Sequence, residues 1–572
     1  MYIQGNAKEA VTFDAIVVGS GISGGWAAKE LTEKGLKVLM IERGRDIQHI
    51  TGYENAMKNP WDFPHRGQLT NKEKEEYYSG ARAGFANAQD ILPHFVKDVD
   101  YPFAEKRRFD WVRGYQTGGR SLTWGKQSYR WNKRDFEANL EDGHGVDWPI
   151  RYDDLAPWYD YVERFAGISG SKEGLDVLPD GVFQTPMELN CVEKEVKKGI
   201  ESNFENRHLI IGRAAHLTNP TEEQLALGRS TCQNRNLCKR GCPYGAYFST
   251  QASTLPAAKK TKNLTVVNDK IVYQTIFDKE TDKVIGVKAI DEKTNEEVEY
   301  FAKIIFLNAS AMNSAWIMMQ SKSSKHVNGL GNDSDQLGRN IMDHHLAVGA
   351  DGRFEGMDDK YYYGRRPNGI YIPRFANWGN DKREFLRGFG FQGQAARGQG
   401  QYQEGAPTFG AEFKENMSLP GSWKFSLWGF GETLPDPNNR MTLSGKKDKN
   451  GLPQIEFDAG WGKNEILMRE TIMKEAVDML EAAGLKDVVG NNNKEKSPGV
   501  GIHEMGTARM GRDPKTSVLN KWNQVWGAEN VFVTDGAAMT SSSCVNPSLT
   551  YMALTARAAN YAAEQFKLGN LS

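Results

Sequence analysis

Apolar residues in this chain come in short blocks separated by glycine and charge. Phe13-Asp-Ala-Ile-Val-Val18 is followed by Gly19-Ser-Gly-Ile-Ser-Gly24, a stretch of helical character to Gly35, and a second apolar block from Lys37 to Ile41. Blocks this short suit strands buried on both faces, as in a parallel sheet. Residues 264–307 alternate like a small meander, with turn signals at 278–282 and 292–296. Its apolar end at 303–307 is expected to return to the first sheet. Val531-Phe-Val-Thr-Asp-Gly536 repeats the strand-then-acid pattern ahead of an alanine-rich helix over 549–566. Residues 346–494 differ in texture and form the candidate substrate domain. They are rich in aromatic and amide side chains: Tyr361 to Tyr363, Tyr371, Phe391, Gln392, Tyr402, Trp423, Phe425, Trp428 and Phe430. Such side chains suit the apolar faces and hydroxyls of a sugar, although core packing is the ordinary role of any one of them.

The first block carries chemistry. Gly19, Gly21 and Gly24 form G-x-G-x-x-G between a strand and a helix, and Glu42 ends the next strand, 18 residues past the last glycine. Glycines there allow a tight turn and close approach of a pyrophosphate, whose charge faces a helix N-terminus. An acid at Glu42 suits the ribose hydroxyls of an adenosine. The fingerprint predicts dinucleotide binding without choosing between FAD and NAD. A second glycine-rich segment, Arg113 to Gly125 (RGYQTGGRSLTWG), offers bare backbone to a flat ring.

Length and charge bound the rest. With 572 residues the chain has room for two substantial domains, at roughly 100–200 residues each. Lys and Arg total 72 against 73 Asp and Glu, so it lacks the basic excess of a nucleic-acid binder. Its longest apolar runs, such as Ala15–Val18, fall far short of the roughly 20 residues of a membrane span. The N-terminus, with Lys8 and Glu9, has no secretory-signal pattern.

Several separated motifs, in order, resemble the glucose–methanol–choline (GMC) oxidoreductase family: GSGISGG with Glu42, GGRSLTWG, HEMGTARMG at 503–511, TDGAAM at 534–539 and VNPSLTYMALTARAA at 545–559. The resemblance spans nearly the whole chain. It implies an α/β fold, with a Rossmann-like FAD-binding domain over 1–345 and a second, α+β substrate domain over 346–494 built on an antiparallel sheet. Residues 495–572 then return to the first domain with the catalytic motifs. It further implies that Gly19, Gly21, Gly24 and Glu42 hold the ADP end, and that Gly118, Gly119 and Ser121 lie beside the flavin. Asp535 is implied near the ribityl–pyrophosphate, and the Asn546-Pro547 backbone near the isoalloxazine. Relatives with covalent flavin carry a histidine in the second glycine-rich segment; Thr123-Trp124 here implies non-covalent FAD. His503 matches the catalytic histidine and Asn546 its partner. Alcohol oxidation needs a base for the hydroxyl proton, and a histidine, with an ordinary pKa of about 6.5, suits that task. Asn546 would orient the substrate oxygen.

Five cysteines occur, at 191, 232, 238, 242 and 544, and three of them fall within eleven residues as C-x5-C-x3-C-P in the loop 230–246. An odd, clustered count argues for metal or redox chemistry over a disulfide framework. Thiolates bind iron–sulfur clusters and zinc alike. Zinc normally takes four ligands, and no histidine lies in this loop. Three cysteines, Cys232, Cys238 and Cys242, suit a 3Fe-4S cluster, and the spacing resembles that of FAD glucose, fructose and glucoside 3-dehydrogenases. Cys191 and Cys544 are expected to be unligated thiols.

The resemblance therefore implies an FAD-dependent dehydrogenase oxidising a sugar or glycoside hydroxyl, with the 3-hydroxyl as the best guess. Electrons would leave through the cluster to a cytochrome c-type acceptor. A flavin oxidase is the nearest alternative, and a non-enzymatic carbohydrate-binding protein a more remote one. Export to the periplasm would need a small chaperone-like partner subunit carrying the signal; a cytoplasmic enzyme is the alternative.

Overall fold

The computed structural model describes residues 13–360, 369–399 and 408–571. Tyr361, Tyr362, Tyr363 and Tyr402 lie outside the described residues. The apolar blocks assemble into one sheet whose main path runs Gln524–Val525, Ala528–Val533, Glu297–Leu307, Phe13–Val18, Val38–Ile41 and Leu264–Val267. From Ala528–Val533 to Leu264–Val267 the pairings are parallel, with Val18 opposite both Ile41 and Leu307, and Leu307 opposite Val533. Residues 303–307 thus return to the first strand, and the antiparallel hairpin Lys270–Asp278/Lys283–Asp291 continues from the same strand.

Both faces of this sheet are covered, and the period-2 alternation of strand side chains decides which residue meets which layer. Ala15, Val17, Val38, Met40, Ile304, Phe306 and Phe532 pack against Ala27, Ala28 and Leu31 of the helix Ile22–Glu33 and Ala558, Ala559, Ala562 and Ala563 of the helix Ser548–Lys567. The alternate residues, including Ile16, Val18, Leu39, Ile41, Ile305 and Leu307, face the largest core on the other side. A run of alanines lets the C-terminal helix lie close to its neighbour.

A second sheet has the order Lys486–Asn492, Val348–Phe354, Pro420–Gly431, Phe389–Gln399, Ile370–Ile372 and Ile210–Ile211, and all its pairings are antiparallel. Residues 210–211 join it from well before position 346, as does the helix Cys191–Asn203, which packs on the same core. Its outer layer is the helix Lys463–Ala482. That helix buries Met468, Ile472, Ala476, Met479 and Leu480, the i, i+4, i+8 stripe expected of a helix on a sheet. Phe391, Trp423, Phe425 and Leu427 meet that helix layer. Gln392, one residue on from Phe391, therefore points the opposite way, towards the first sheet. No helix among the described residues is long and apolar enough to cross a membrane.

Candidate active site

Four parallel strands end at one edge, where they release a glycine and three polar residues: Gly19 after Val18, Glu42 after Ile41, Asn308 after Leu307 and Asp535 two residues after Val533. All four line a single cleft enclosing about 1590 Å³ of empty space, part of it open to solvent. The crevice at the carboxyl ends of parallel strands is where such sheets bind ligands.

The glycine loop is fixed by close contacts. Gly19 has φ +90°, and a Cβ there would lie 2.4 Å from the Asn308 carbonyl oxygen; a Cβ on Gly24 would lie 1.9 Å from that of Gly19. These two glycines let the helix Ile22–Glu33 settle onto the strand ends. Gly21 N-caps that helix without a side-chain cap, and a Cβ on it would meet no protein atom within 4 Å, because it faces the cleft. Glu42 is buried, and burial raises its pKa. One of its oxygens accepts from the amide and the hydroxyl of Ser20 and the other from the amide of Gly44 (2.9 Å), leaving one lone pair. Ser20 Oγ in turn accepts from the Gly118 amide (2.8 Å), which ties the two glycine-rich segments together. Gly118 and Pro547 do not border the cleft; Gly119, Ser121, Thr123 and Trp124 do. Asp535 accepts from the Ser314 hydroxyl (2.6 Å) and the Ala537 amide (2.9 Å), and burial pushes its pKa up to about 6.

These residues fit a dinucleotide. The bare helix start suits a pyrophosphate. Five buried polar atoms of cleft-lining residues, Ser23 Oγ, Arg43 Nε, Arg113 Nε, Asn308 Nδ2 and Tyr551 OH, have no hydrogen-bond partner among the described residues. Buried polar groups left this way cost about 1–3 kcal/mol each, so the cleft is built for a polar occupant.

His503 and Asn546 stand on the wall of the same cleft. Asn546 Nδ2 is 3.3 Å from His503 Nε2, and Asn546 Oδ1 accepts from Gln392 Nε2 at 2.5 Å. His503 Nδ1 lies 2.8 Å from Nδ1 of His344. The loop that carries His503 is held by Asp343, whose carboxylate accepts the amides of Gly499 (2.7 Å), Gly501 (2.8 Å) and His503 (2.9 Å). Burial, with Glu504 nearby, raises the Asp343 pKa to about 7. Arg120 of the second glycine-rich segment pairs through both terminal nitrogens with Glu504, next to His503. The His503 pKa falls well below 6.5, first through burial and then through His344 and Arg120. His503 is therefore neutral across ordinary working pH, which the unshifted value near 6.5 did not foretell.

The aromatic residues of 346–494 sit mostly elsewhere. Phe391, Trp423 and Phe425 are core, Tyr371 stacks on Tyr129 with centroids 4.1 Å apart, and Trp428 is partly exposed. The described residues bordering the cleft come from before 318 and after 501. The second sheet reaches the His503–Asn546 pair through Gln392 and through Phe430, whose ring centroid lies 6.1 Å from that of His503. Asp343, His344 and the coupling of Gln392 to Asn546 were not read from the sequence. The acid and two histidines directly after Ile341-Met342 are their trace in the chain.

Cys232, Cys238 and Cys242 are half-buried on one loop, closed at its base by the Ser230 amide on the Tyr244 carbonyl (2.9 Å). Burial, with Cys238 and Cys242 nearby, raises the Cys232 thiol to about 11. Cys238 Sγ is 3.7 Å from His216 Nε2. Two buried cations adjoin the loop without a carboxylate partner among the described residues. Lys126 lines the cleft with Nζ 4.1 Å from the Tyr247 ring centroid, and the Arg229 guanidinium donates only to backbone carbonyls, Gly245 and Ala166 the nearest. Uncompensated buried cations cost several kcal/mol, and a negative centre beside them offsets that. Donor type and charge thus suit a thiolate-held cluster. The placement does not: among the described residues no three His, Cys, Asp or Glu side chains are gathered closely enough to hold a metal ion. Cys544 is buried and Cys191 half-buried.

Fold and cleft define a dinucleotide-dependent oxidoreductase. Residues 13–346 and 435–555 match the GMC oxidoreductase family in its N- and C-terminal parts, and the chain belongs to that family. It is an FAD-dependent enzyme acting on CH–OH donors. It is 28% identical to 2-methyl-1,2-propanediol dehydrogenase of Mycolicibacterium austroafricanum, over 97% of this chain and 95% of that one. It is 26% identical to the fructose dehydrogenase large subunit of Gluconobacter japonicus, over 98% and 100%. The crystal structure of pyridoxine 4-oxidase from Mesorbium loti shares the fold, with TM-score 0.58 at 16% identity over 97% of this chain and 99% of that one.

Proposed function

We propose that the protein oxidises a secondary alcohol of a sugar or glycoside, the 3-hydroxyl first, with His503 as base and Asn546 as the group that orients the substrate oxygen. The observation that carries this is the His503–Asn546 pair, 3.3 Å apart, on the wall of the cleft that Glu42 and the glycine loop also line. Gly19, Gly21, Glu42, Gly119, Ser121, Asp535 and Asn546 would hold non-covalent FAD, with Gly24, Gly118 and Pro547 shaping the backbone behind them. Residues 1–345 and 495–572 would form the cofactor part and 346–494 the substrate part. When bound, the flavin supplies a two-electron acceptor for the hydrogen leaving carbon. The substrate hydroxyl would replace the Asn546 amide at the single lone pair of His503 Nε2, which takes the proton, and Asn546 Nδ2 would then donate to the substrate oxygen. Gln392 fixes which end of that amide faces the histidine. The similarity to a fructose dehydrogenase large subunit supports a sugar as the substrate class.

Anaerobic mixing with a panel of glycosides tests this, with product regiochemistry read by NMR. Flavin absorbance is expected to bleach with substrates bearing a free secondary hydroxyl, giving a 3-keto product. Because burial lowers the His503 pKa, the neutral base persists as pH falls. Titration of His503 should therefore contribute little between pH 8 and 6.5, with its acid limb below 6.5, and any change near pH 7 would report protonation of Asp343, which holds the His503 loop. No bleaching by any glycoside would overturn the substrate assignment, and rapid peroxide formation in air would favour an oxidase.

The finer reading extends to a 3Fe-4S cluster on Cys232, Cys238 and Cys242, supported by the three thiols and the two uncompensated cations beside them. Protein purified anaerobically should contain about three irons, the complement of such a cluster. Cys238→Ser should lose most of that iron while substrate still bleaches the flavin in one turnover. Zinc without iron would overturn it. A cytochrome c-type acceptor and a small partner subunit directing export to the periplasm complete the proposal. Cell fractionation with and without the genomic neighbours tests the location.

A further inference from the structure

We infer that His344 is a positioning residue that fixes the tautomer of His503, so that Nε2 of His503 carries no hydrogen and is the accepting nitrogen on the side of Asn546. This rests on the proposed role of His503 as base and names what makes that role available. The argument starts from two carbonyls. His344 Nε2 lies 3.1 Å from the Ser542 carbonyl oxygen and 2.9 Å from that of Ser543. Carbonyl oxygens only accept, so His344 Nε2 carries the hydrogen. His344 is fully buried, which disfavours its charged form, so its Nδ1 is an unprotonated lone pair.

That lone pair faces His503 Nδ1 at 2.8 Å. Two bare nitrogens would repel at this separation, so His503 Nδ1 must be the donor. A neutral imidazole has one hydrogen, and it is spent there. His503 Nε2 is then the acceptor that Asn546 Nδ2 approaches at 3.3 Å. The amide side agrees independently: Gln392 donates to Asn546 Oδ1, which turns Nδ2, a donor, to the histidine. The opposite tautomer would set N–H against N–H at Asn546 and lone pair against lone pair at His344.

The backbone is shaped for this contact. Ser543, a non-glycine, is held at φ +53°, and the turn there aims two successive carbonyls at one imidazole. Such a conformation costs of order 1 kcal/mol or more and persists where surroundings enforce it. When His503 takes a proton, its Nδ1–H bond to His344 becomes charge-assisted, and the two carbonyls polarise His344 in the helpful sense. His344 thus acts through His503 and does not border the cleft.

Nitrogen-15 NMR of histidine-labelled, FAD-loaded protein tests the tautomer directly, with the His503 signals assigned by their loss in His503→Ala. Nδ1 is expected in the protonated range and Nε2 in the bare-nitrogen range; the reverse would overturn the inference without any His344 variant. Among variants, His344→Leu removes the acceptor and should cut anaerobic flavin reduction by about 10²-fold or more, the lower range for acid–base groups, with FAD content kept. His344→Gln supplies a carbonyl for His503 and an NH2 for the Ser carbonyls and should recover most of that loss. Equal losses in both variants at full FAD content, or a Leu variant within threefold of the wild type, would overturn it. If instead His503→Ala reduces as fast as the wild type, the base role fails while the NMR result still decides the tautomer.

Discussion

His503→Ala is expected to keep its FAD and to lose substrate-driven flavin reduction by roughly two to four orders of magnitude, the range of general acid–base groups. The two halves of that expectation have separate causes. FAD retention follows from the contacts, because His503 bonds to Asp343, His344 and Asn546 and to none of the groups proposed for the ADP end, Glu42, Ser20 and the bare start of the helix Ile22–Glu33. The rate loss follows from chemistry, because among the described residues lining the cleft there is no second histidine to accept the hydroxyl proton. His344 is close, but its Nδ1 faces His503 and its Nε2 faces the carbonyls of Ser542 and Ser543. Asn546 carries no basic nitrogen. Stopped-flow absorbance under anaerobic conditions reads the rate, and the flavin-to-protein ratio reads occupancy. Reduction within tenfold of the wild type at full occupancy would remove His503 from the base role.

What the sequence made legible was whatever is local. A strand, a glycine loop, a helix and a second strand ending in an acid are consecutive, so Phe13 to Glu42 could be read as one unit, and its parallel pairing is the observed one. The return of 303–307 to that sheet was legible because blocks buried on both faces have few other homes, whereas the pattern at 531–536 showed only a buried strand ending in an acid and the family resemblance supplied its return. Other features depend on contacts across hundreds of positions. His344 reaches His503 across 159 residues, Gln392 reaches Asn546 across 154, and Arg120 reaches Glu504 across 384. Nothing in the local pattern of His344 separates it from His345, which is equally buried. The shift of the His503 pKa is hidden for the same reason, since burial and neighbouring charge are properties of the assembled wall. The aromatic wealth of 346–494 was legible as composition, but whether a ring faces helix or cleft depends on strand register. Phe391 and Gln392, adjacent in sequence, point to opposite faces.

Gly24→Ala is expected to reduce bound FAD to a small fraction of the wild-type content, although the substitution adds one carbon. A Cβ at this position would sit 1.9 Å from the carbonyl oxygen of Gly19 and 2.8 Å from its carbonyl carbon, both backbone atoms. No side-chain rotation relieves such a contact, so the helix Ile22–Glu33 must move off the loop Gly19–Gly21. Overpacking of this kind costs typically about 1–3 kcal/mol. Here the displaced element is the helix start that faces the cleft, so the cost falls on cofactor affinity as well as on the fold. At about 1.4 kcal/mol per tenfold, that cost alone corresponds to about five- to 150-fold weaker binding. Loss of a bound cofactor also withdraws its stabilisation of the native state, so the melting temperature should fall and recover in part with added FAD. Gly21→Ala separates the two effects. Its Cβ would meet no protein atom within 4 Å and would project into the cleft, so the apoprotein should melt as the wild type does while FAD affinity drops. Flavin stoichiometry after gel filtration and melting curves with and without FAD read both outcomes. Wild-type FAD content in Gly24→Ala would mean that the loop tolerates a displaced helix and that the glycine spacing does not define the cofactor site.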